Sequence, residues 1–407
     1  MRTFGVLRKA LPQLKQKGFN LDYASFMNEL ALSRTPSALR ELMKNHATAS
    51  SKVVFLGEGL PHPLTTVFSN ATFTLRHQFH APPQPEERDV ITTVGAQDGL
   101  SKVLELSLER GDSIVVADPT YSGLMSIVRP YQTNLIAATF NKHGLNVLEL
   151  KQKLSAVWSS RSGQKRPKIL YLNPTASNPS GHVISDAQKK EIYDIACEFN
   201  LLILEDDPYY FLSFEEGLPR SFLSMDTEGR VVRFDSFSKI FSGGLRLGVM
   251  TAPRAIVRVV EMHMQASVLH ASALSQMLVL QILNHLGWDG LREHADGIRD
   301  FYRHRRDEML RLAEKHLTGL AEWNTPAGGM FLWLRILGVR DVWDMVMERG
   351  LRKDVMLVPG HAFMADPSQP CAFIRLSYSI APLDQIDKAF GRTADLIREE
   401  QRLQGMK

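Results

Sequence analysis

The 407-residue sequence is poor in the features that stabilise small secreted proteins and in those that anchor proteins in membranes. It contains two cysteines, Cys197 and Cys371, too few for a disulfide framework and without metal-ligand spacing. We therefore expect reduced thiols, an intracellular compartment and no metal site. No uninterrupted apolar run is long enough to span a bilayer, so we predict no interaction with a membrane.

Acidic residues are missing from residues 1–21, which carry five basic side chains. The net charge of the whole chain is +4, so the rest of the sequence is nearly balanced, which argues against nucleic-acid binding. A basic, amphipathic segment without acidic residues resembles a mitochondrial transit peptide, although Pro12 would interrupt its helix. We expect the mitochondrial matrix, with a basic tail and a cytoplasmic protein as the alternative.

Short apolar runs alternate with helical patterns through the middle of the chain. Buried strands are predicted at 113–117, 168–173, 201–205, 231–234 and 247–251. Helical patterns lie at 186–199 and 254–270. This alternation predicts an α/β fold with a mostly parallel sheet covered on both faces.

Beyond about residue 300 the pattern changes to that of a smaller α+β domain. It consists of a helix at 300–316, strands at 330–336 and 373–378, and a helix at 384–403. We predict four parts: a basic arm or transit peptide at 1–21, the N-terminal part of the small domain at 22–65, a large domain at 66–299 and the C-terminal small domain at 300–407. Residues 82–88 are the one linker-like stretch.

The most informative stretch is residues 236–248. It begins Ser-Phe-Ser-Lys and ends Gly-Leu-Arg-Leu-Gly, which places Lys239 beside two hydroxyls and Arg246 seven positions later. A lysine can hold an aldehyde as a Schiff base, while hydroxyls and an arginine can bind a phosphate next to it. Pyridoxal 5'-phosphate (PLP) carries both groups. A solvated surface loop is the alternative for this stretch alone.

Four further motifs lie at ends of predicted strands or at a turn into a helix, where α/β proteins bind their ligands. They are the segments 93–99, 118–121, 173–181 and 205–210. The first is a turn into a helix, whose free backbone N–H groups favour a phosphate. Each motif also has an ordinary alternative: an interface tyrosine, an Asn-Pro turn, or an acidic helix cap or solvated turn.

In this order, the five motifs resemble the fold type I PLP-dependent aminotransferases of class I/II, most closely the kynurenine/2-aminoadipate aminotransferases. The resemblance extends from about residue 21 to 397. It implies that the large domain binds PLP and that the protein is a homodimer. It also implies transfer of an amino group from an aromatic or long-chain 2-amino acid to 2-oxoglutarate.

The resemblance assigns roles to individual residues. Lys239 binds the cofactor aldehyde and later moves a proton, and Asp206 faces the pyridine nitrogen. Tyr209 and Asn178 hydrogen-bond the ring hydroxyl, and Tyr121 stacks on the ring. The phosphate ligands are Ala96, Gln97, Ser236, Ser238 and Arg246.

Arg375 stands in an otherwise apolar strand, and a buried arginine requires an anion. By resemblance it binds the α-carboxylate of the substrate, and a structural salt bridge is the alternative. Asn178, Gly59 and Arg40 complete the substrate-binding set that the resemblance implies. For Arg40 an exposed helix arginine is the competing reading.

The sequence departs from the family between Gly59 and Tyr121. This segment is shorter than in relatives and lacks the tyrosine that reaches the cofactor phosphate of the neighbouring subunit. A weakened or non-catalytic relative therefore stays open as an alternative. A PLP-dependent β-lyase stays open as well, because such enzymes also hold the α-carboxylate of their substrate.

Overall fold

The computed structural model describes residues 54–56, 82–141, 144–160 and 164–405. Arg40, Gly59 and the basic arm lie outside these residues, so the predictions made for them stay predictions. Among the described residues no helix is both long and apolar enough to cross a membrane.

Fourteen strands are present in the described part of the chain. Numbered along the sequence, they are β1 (Val54–Phe55), β2 (Arg88–Thr93), β3 (Ser113–Asp118), β4 (Asn134–Asn141), β5 (Gly144–Leu145), β6 (Ile169–Leu172), β7 (Leu202–Asp206), β8 (Val231–Ser236), β9 (Gly248–Pro253), β10 (Ala321–Trp323), β11 (Phe331–Ile336), β12 (Val355–Met356), β13 (Val358–Pro359) and β14 (Phe373–Ser377).

Eight of these strands form one large sheet in the order β2-β9-β8-β7-β6-β3-β4-β5. The five strands from β8 to β4 in this order run parallel, whereas β9, β2 and β5 join antiparallel. The predicted α/β fold with a mostly parallel sheet is therefore confirmed. Because the carboxyl ends of parallel strands share one edge, the residues that follow β3, β6, β7 and β8 meet there.

A second, four-stranded sheet has the order β10-β11-β14-β13 and is antiparallel throughout. Strand β1 pairs with β12 in a separate parallel ladder. The four-stranded sheet places Arg375 in β14, opposite Trp333 in β11 and Val358 in β13. Its apolar side joins a large core cluster that also includes Tyr209, so this sheet packs against the turn that follows β7.

Seven α-helices are present among the described residues. They are α1 (Ala96–Ser107), α2 (Ser122–Val128), α3 (Val147–Ser159), α4 (Asp186–Glu198), α5 (Arg254–Ser267), α6 (Ala273–Leu317) and α7 (Leu383–Leu403). Two apolar clusters cover the large sheet, one with side chains of α1, α2 and α5 and the other with side chains of α3 and α4. The covering of both faces thus agrees with the sequence prediction.

The structure corrects the predicted start of the long helix. Instead of beginning at residue 300, α6 begins at Ala273 and continues to Leu317, and a kink at the non-helical Gly287 divides it into two helices. The first turns were missed because apolar Leu274 and Met277 are exposed there, which obscures the usual amphipathic pattern. The predicted boundary after residue 299 falls inside this helix, and the division into four parts stays a prediction.

Residues 82–88 are not a linker. They form a short 3-10 turn that leads into β2. The buried guanidinium of Arg88 donates to the backbone oxygen of Pro83 and to that of Asp226, and it pairs with the Asp226 carboxylate at 2.8 Å. The segment is therefore tied to the large sheet, despite its three prolines.

Candidate active site

Asp206, the last residue of β7, is buried at the carboxyl edge of the large sheet. The hydroxyl of Tyr171 in β6 donates to its Oδ2 atom at 2.7 Å. Burial raises the pKa of the carboxyl from 3.8 to about 7, against the lowering effect of this hydrogen bond. The ionised form is therefore disfavoured, and a cationic or N–H group placed against the carboxylate would stabilise it.

Asn173 connects Asp206 to the turn that carries Asn178. Its side-chain nitrogen donates to the backbone oxygen of Asp206 at 2.6 Å, and its side-chain oxygen accepts from the backbone N–H of Asn178 at 2.8 Å. Neither Tyr171 nor Asn173 was among the predicted site residues. Asn173 could have been found, because it ends a predicted strand and opens the segment 173–181, whereas Tyr171 is hidden within an apolar run.

The acids beside Asp206 are not a solvated turn, so that alternative is wrong. Glu205 and Asp207 are both buried. The guanidinium of Arg233 lies 3.1 Å from Glu205, 2.9 Å from Asp207 and 2.7 Å from Asp235. Arg233 therefore compensates three carboxylates, and Asp206 is not among its ion-pair partners. This buried pairing depends on the strand register, which sets Glu205 opposite Arg233. The sequence alone does not reveal that register.

Lys239 lies in the turn that follows β8. The backbone N–H of Ser238 donates to the hydroxyl of Ser236 at 3.2 Å, which tightens this turn. Burial, with the charges of Arg246 and Arg375, lowers the pKa of the Lys239 amine from 10.5 to about 8. A substantial fraction of the amine is therefore neutral near physiological pH, as attack on an aldehyde requires.

Arg246 faces the N-terminus of α1. Its guanidinium donates to the hydroxyl of Ser238 and to the backbone oxygen of Val94, both at 3.3 Å. A Cβ atom at Gly95, the N-cap residue, would lie 2.6 Å from its Nη2 atom. Among the described residues no carboxylate forms an ion pair with Arg246. A cation against the positive end of a helix dipole calls for an anion between them.

Gly248 keeps this anion-binding corner compact. A Cβ atom there would lie 2.7 Å from the backbone nitrogen of Ala96 and 2.8 Å from the backbone oxygen of Asp235. The absence of a side chain therefore lets β9 approach both the first turn of α1 and the end of β8. The backbone N–H groups of Ala96 and Gln97, in that first turn, have no partner within the helix.

Arg375 is almost completely buried, with 1 % of its surface exposed. Its guanidinium carbon lies 4.0 Å from the ring centre of Phe331 and 4.9 Å from that of Phe363. Its Nη1 atom donates to the side-chain oxygen of Asn178 at 2.9 Å. Burial lowers the pKa of the guanidinium to about 10, so an anion close to it would be strongly favoured.

Two tyrosines complete the site. Tyr209 is buried, packs edge-on against Phe331 at 6.2 Å and shares a hydrogen bond with Asn178. Burial, with the nearby Tyr121, raises the pKa of its hydroxyl. Tyr121 precedes α2, and its ring lies so close over Gly123 that a Cβ atom there would meet it. Gln97 fixes this turn by donating from its side chain to the backbone oxygen of Gly123 at 3.1 Å.

The described site residues therefore come from strand ends and turns at the carboxyl edge of the large sheet, from β14 of the second sheet and from the first turn of α1. Their chemistry fits PLP: a buried carboxylate suits the pyridine nitrogen, a lysine of lowered pKa suits the aldehyde, and a cation at a helix N-terminus suits the phosphate. No group of three or more His, Cys, Asp and Glu side chains within the described ranges is arranged to hold a metal ion.

Comparison with known proteins agrees with this geometry. Residues 36–392 match the family model for aminotransferases of class I and II. The bovine (Bos taurus) mitochondrial kynurenine/alpha-aminoadipate aminotransferase is 36% identical over 424 residues, covering 93% of this chain and 100% of its own. The multiple substrate aminotransferase of Thermococcus profundus superposes with a TM-score of 0.83 at 28% identity, covering 94% of this chain and 100% of its own.

A further solved structure is the kynurenine aminotransferase of Pyrococcus horikoshii in complex with PMP, with a TM-score of 0.82 at 29% identity; it covers 93% of this chain and 98% of its own. The chain belongs to the aminotransferase class I and II family. It is a PLP-dependent aminotransferase of fold type I.

We expect Asp206→Asn to stabilise the protein without cofactor while weakening PLP binding. Because the pKa of Asp206 is raised by folding, its contribution to the unfolding free energy is lost as the pH rises from about 4 through 7. Asparagine does not titrate, so the variant should gain about 2–4 kcal/mol at pH 8 and almost nothing at pH 4. Urea unfolding at both pH values measures the gain, and a PLP titration measures the loss of affinity.

The matched control is Asp207→Asn. Asp207 pairs with Arg233 at 2.9 Å, so removing its charge should destabilise the protein at pH 8, where Asp206→Asn should stabilise it. If Asp206→Asn also destabilised the cofactor-free protein at pH 8, the carboxylate would serve the fold rather than the cofactor.

Proposed function

We propose that this enzyme transfers the amino group of an aromatic or long-chain 2-amino acid, such as kynurenine or 2-aminoadipate, to 2-oxoglutarate. The observation that carries the proposal is the convergence of three buried groups of perturbed pKa, Asp206, Lys239 and Arg375. The first two lie at the carboxyl edge of the large sheet, and Arg375, on the second sheet, bonds Asn178 at that edge. The names of the bovine and Pyrococcus relatives, which specify kynurenine or alpha-aminoadipate, support this choice of donors.

When bound, PLP supplies an aldehyde that takes up the amino group and a ring that accepts electrons. Asp206 would hold the proton on the ring nitrogen, since a buried carboxylate of raised pKa is stabilised by a cationic partner. Tyr209 and Asn178 would hydrogen-bond the ring hydroxyl, and Tyr121 would cover the ring face. Tyr171 and Asn173 position Asp206 and Asn178 through their hydrogen bonds.

Lys239 would first hold the cofactor and then act as general base. Once released by the incoming amino group, its Nζ atom would take the proton from Cα of the substrate and would donate it to C4' of the cofactor. A pKa of about 8 suits this work, because the amine can both accept and donate a proton near neutral pH. The positive charges of Arg246 and Arg375 help to keep it there.

Arg375 would bind the α-carboxylate that every 2-amino acid and 2-oxo acid carries. Its packing between Phe331 and Phe363 fixes the plane of the guanidinium, so that two parallel hydrogen bonds can form. Asn178 holds one nitrogen of this group, at 2.9 Å. The phosphate would be bound by the set that surrounds the first turn of α1, namely Ala96, Gln97, Ser236, Ser238 and Arg246. For Arg40 and Gly59 the substrate-binding roles stay proposals from the sequence.

The decisive test separates the two half-reactions. The PLP-loaded protein should lose the absorption of the bound aldehyde on addition of 2-aminoadipate or kynurenine, and regain it on addition of 2-oxoglutarate. Lys239→Ala should abolish both changes, because the proton at Cα then has no acceptor. Release of ammonia and a 2-oxo acid without 2-oxoglutarate would instead identify a lyase, and no spectral change in the wild type would identify a non-catalytic relative.

Arg375→Lys serves as the variant for substrate binding. It keeps the charge but loses the planar fork, so KM should rise for the amino acid and the oxo acid alike, by about tenfold or more. Arg335→Lys, on the exposed side of the neighbouring strand, is the matched control and should leave both KM values unchanged. A higher KM for only one of the two substrates would contradict a shared carboxylate site.

We also propose that the enzyme is a homodimer. Seven large apolar side chains are exposed along α5, the turn after it and the start of α6: Val259, Met262, Val268, Leu269, Leu274, Met277 and Leu280. So many apolar side chains along one short stretch are typical of a surface that another protein covers. A second copy of the chain is the partner that the family resemblance implies.

Leu274→Glu should convert the dimer to a monomer, because a charge would be buried at the interface. Light scattering measures the mass, and Leu148→Glu on α3 is the control, since its side chain is 69% exposed against 70% for Leu274. A wild-type protein that is monomeric at micromolar concentration would contradict the proposal, as would a Leu274→Glu variant that stays dimeric.

The mitochondrial matrix is the proposed location. The bovine relative is named as mitochondrial, and residues 1–21 of this chain carry five basic residues and no acidic one. Imaging of the protein with residues 1–21 deleted, beside the whole chain, tests this directly.

A further inference from the structure

We infer that Asp98 and Lys102, a partly buried ion pair that joins the first and second turns of α1, determine how tightly the enzyme holds the phosphate of PLP. Neither residue belongs to the proposed phosphate-binding set, and both act through it as positioning residues. The inference rests on the proposed phosphate site at the first turn of α1 and deepens it.

Asp98 supports the backbone that forms this site. Its Oδ2 atom accepts from the backbone N–H of Val94 at 2.9 Å, and the backbone oxygen of Val94 in turn accepts from Arg246 at 3.3 Å. A single residue, Val94, thus connects the Asp98 carboxylate to the guanidinium that faces the start of the helix. Asp98 therefore holds in place the turn that presents the N–H groups of Ala96 and Gln97.

The same carboxylate is electrostatically unfavourable for the ligand. A phosphate monoester carries between one and two negative charges at neutral pH, and Asp98 lies in the turn of helix that receives it. Like charges this close repel each other, more strongly in a partly buried site than in water. An unneutralised Asp98 would therefore cancel part of the attraction exerted by Arg246 and the helix N-terminus.

Lys102 neutralises the negative charge of Asp98. It lies one turn further along α1, only 4 % of its surface is exposed, and its ammonium pairs directly with Oδ1 of Asp98. The next residues of the helix, Val103 and Leu104, belong to the apolar core. The pair has no net charge, so the carboxylate can hold Val94 without repelling the phosphate.

An ordinary i,i+4 pair that only stabilises the helix is the alternative. It would not distinguish a ligand with a phosphate from one without. The test therefore compares PLP with pyridoxal, which lacks the phosphate, by equilibrium titration of the cofactor-free full chain.

Lys102→Met should raise the Kd for PLP by about tenfold or more while changing the Kd for pyridoxal less than about twofold, because only the phosphate meets the exposed charge of Asp98. Asp98→Asn keeps an oxygen for the Val94 N–H and should bind PLP as tightly as the wild type or more tightly. The double variant has no net charge at the pair and should return to within about threefold of the wild type. The loss in Lys102→Met should also shrink at high salt.

Equal losses for PLP and pyridoxal in Lys102→Met would overturn the inference, as would a double variant no better than Lys102→Met. If Lys102→Met does not fold, Asp98→Asn decides alone: weaker PLP binding there contradicts the charge argument. Arg246→Gln is the reference, since it should also weaken PLP more than pyridoxal. If it does not, the proposed phosphate site is wrong; if it does while Lys102→Met has no effect, only the present inference fails.

Discussion

The separation of buried charges at the carboxyl edge of the large sheet is the constraint on which the site depends. Glu205 and Asp206 end β7 and Asp207 follows directly, and strand alternation directs Glu205 and Asp206 to opposite faces. Arg233 compensates Glu205 together with Asp207 and Asp235, whereas Asp206 accepts a neutral hydrogen bond from Tyr171. Arg233 thereby leaves one carboxylate of the cluster, Asp206, for a ligand. The raised pKa of Asp206 reflects the free-energy cost of holding this carboxylate buried and ionised before the ligand binds.

The site also contains cationic side chains, at the positions proposed to bind the phosphate and the α-carboxylate. Arg246 and Arg375 are cations held near Lys239, and burial, with the charges of these two arginines, lowers the pKa of Lys239 to about 8. Both are held mainly by neutral groups: hydroxyl and backbone oxygens for Arg246, an amide oxygen and two aromatic rings for Arg375. The site thus has one anion and two cations aimed inward, which is complementary to a molecule with a basic nitrogen, a phosphate and a carboxylate. The two sheets therefore contribute to one binding site.

Much of the fold followed from sequence because the strands are short, apolar and bounded by turns, as buried parallel strands are. The positions of Lys239, Asp206 and Asn178 followed too, since residues after strand ends converge at one edge. What could not be foreseen depends on pairing between distant strands. The register that sets Glu205 opposite Arg233 and the contact of Tyr171 with Asp206 leave no trace in local periodicity. The early start of α6 was hidden for a related reason, because Leu274 and Met277 point away from the core.

The most direct test of the account is to find which lysine the cofactor occupies. The cofactor-free enzyme is mixed with PLP at several pH values, the bound aldehyde is trapped with borohydride at successive times, and the protein is digested and its peptides are weighed. We predict that the pyridoxyl group is carried by Lys239 alone, and that its rate of incorporation rises with pH around a value near 8, because the neutral amine is the reactive form. Labelling of another lysine, or a rate that rises only near pH 10, would contradict the claim that buried charge prepares Lys239 for this role.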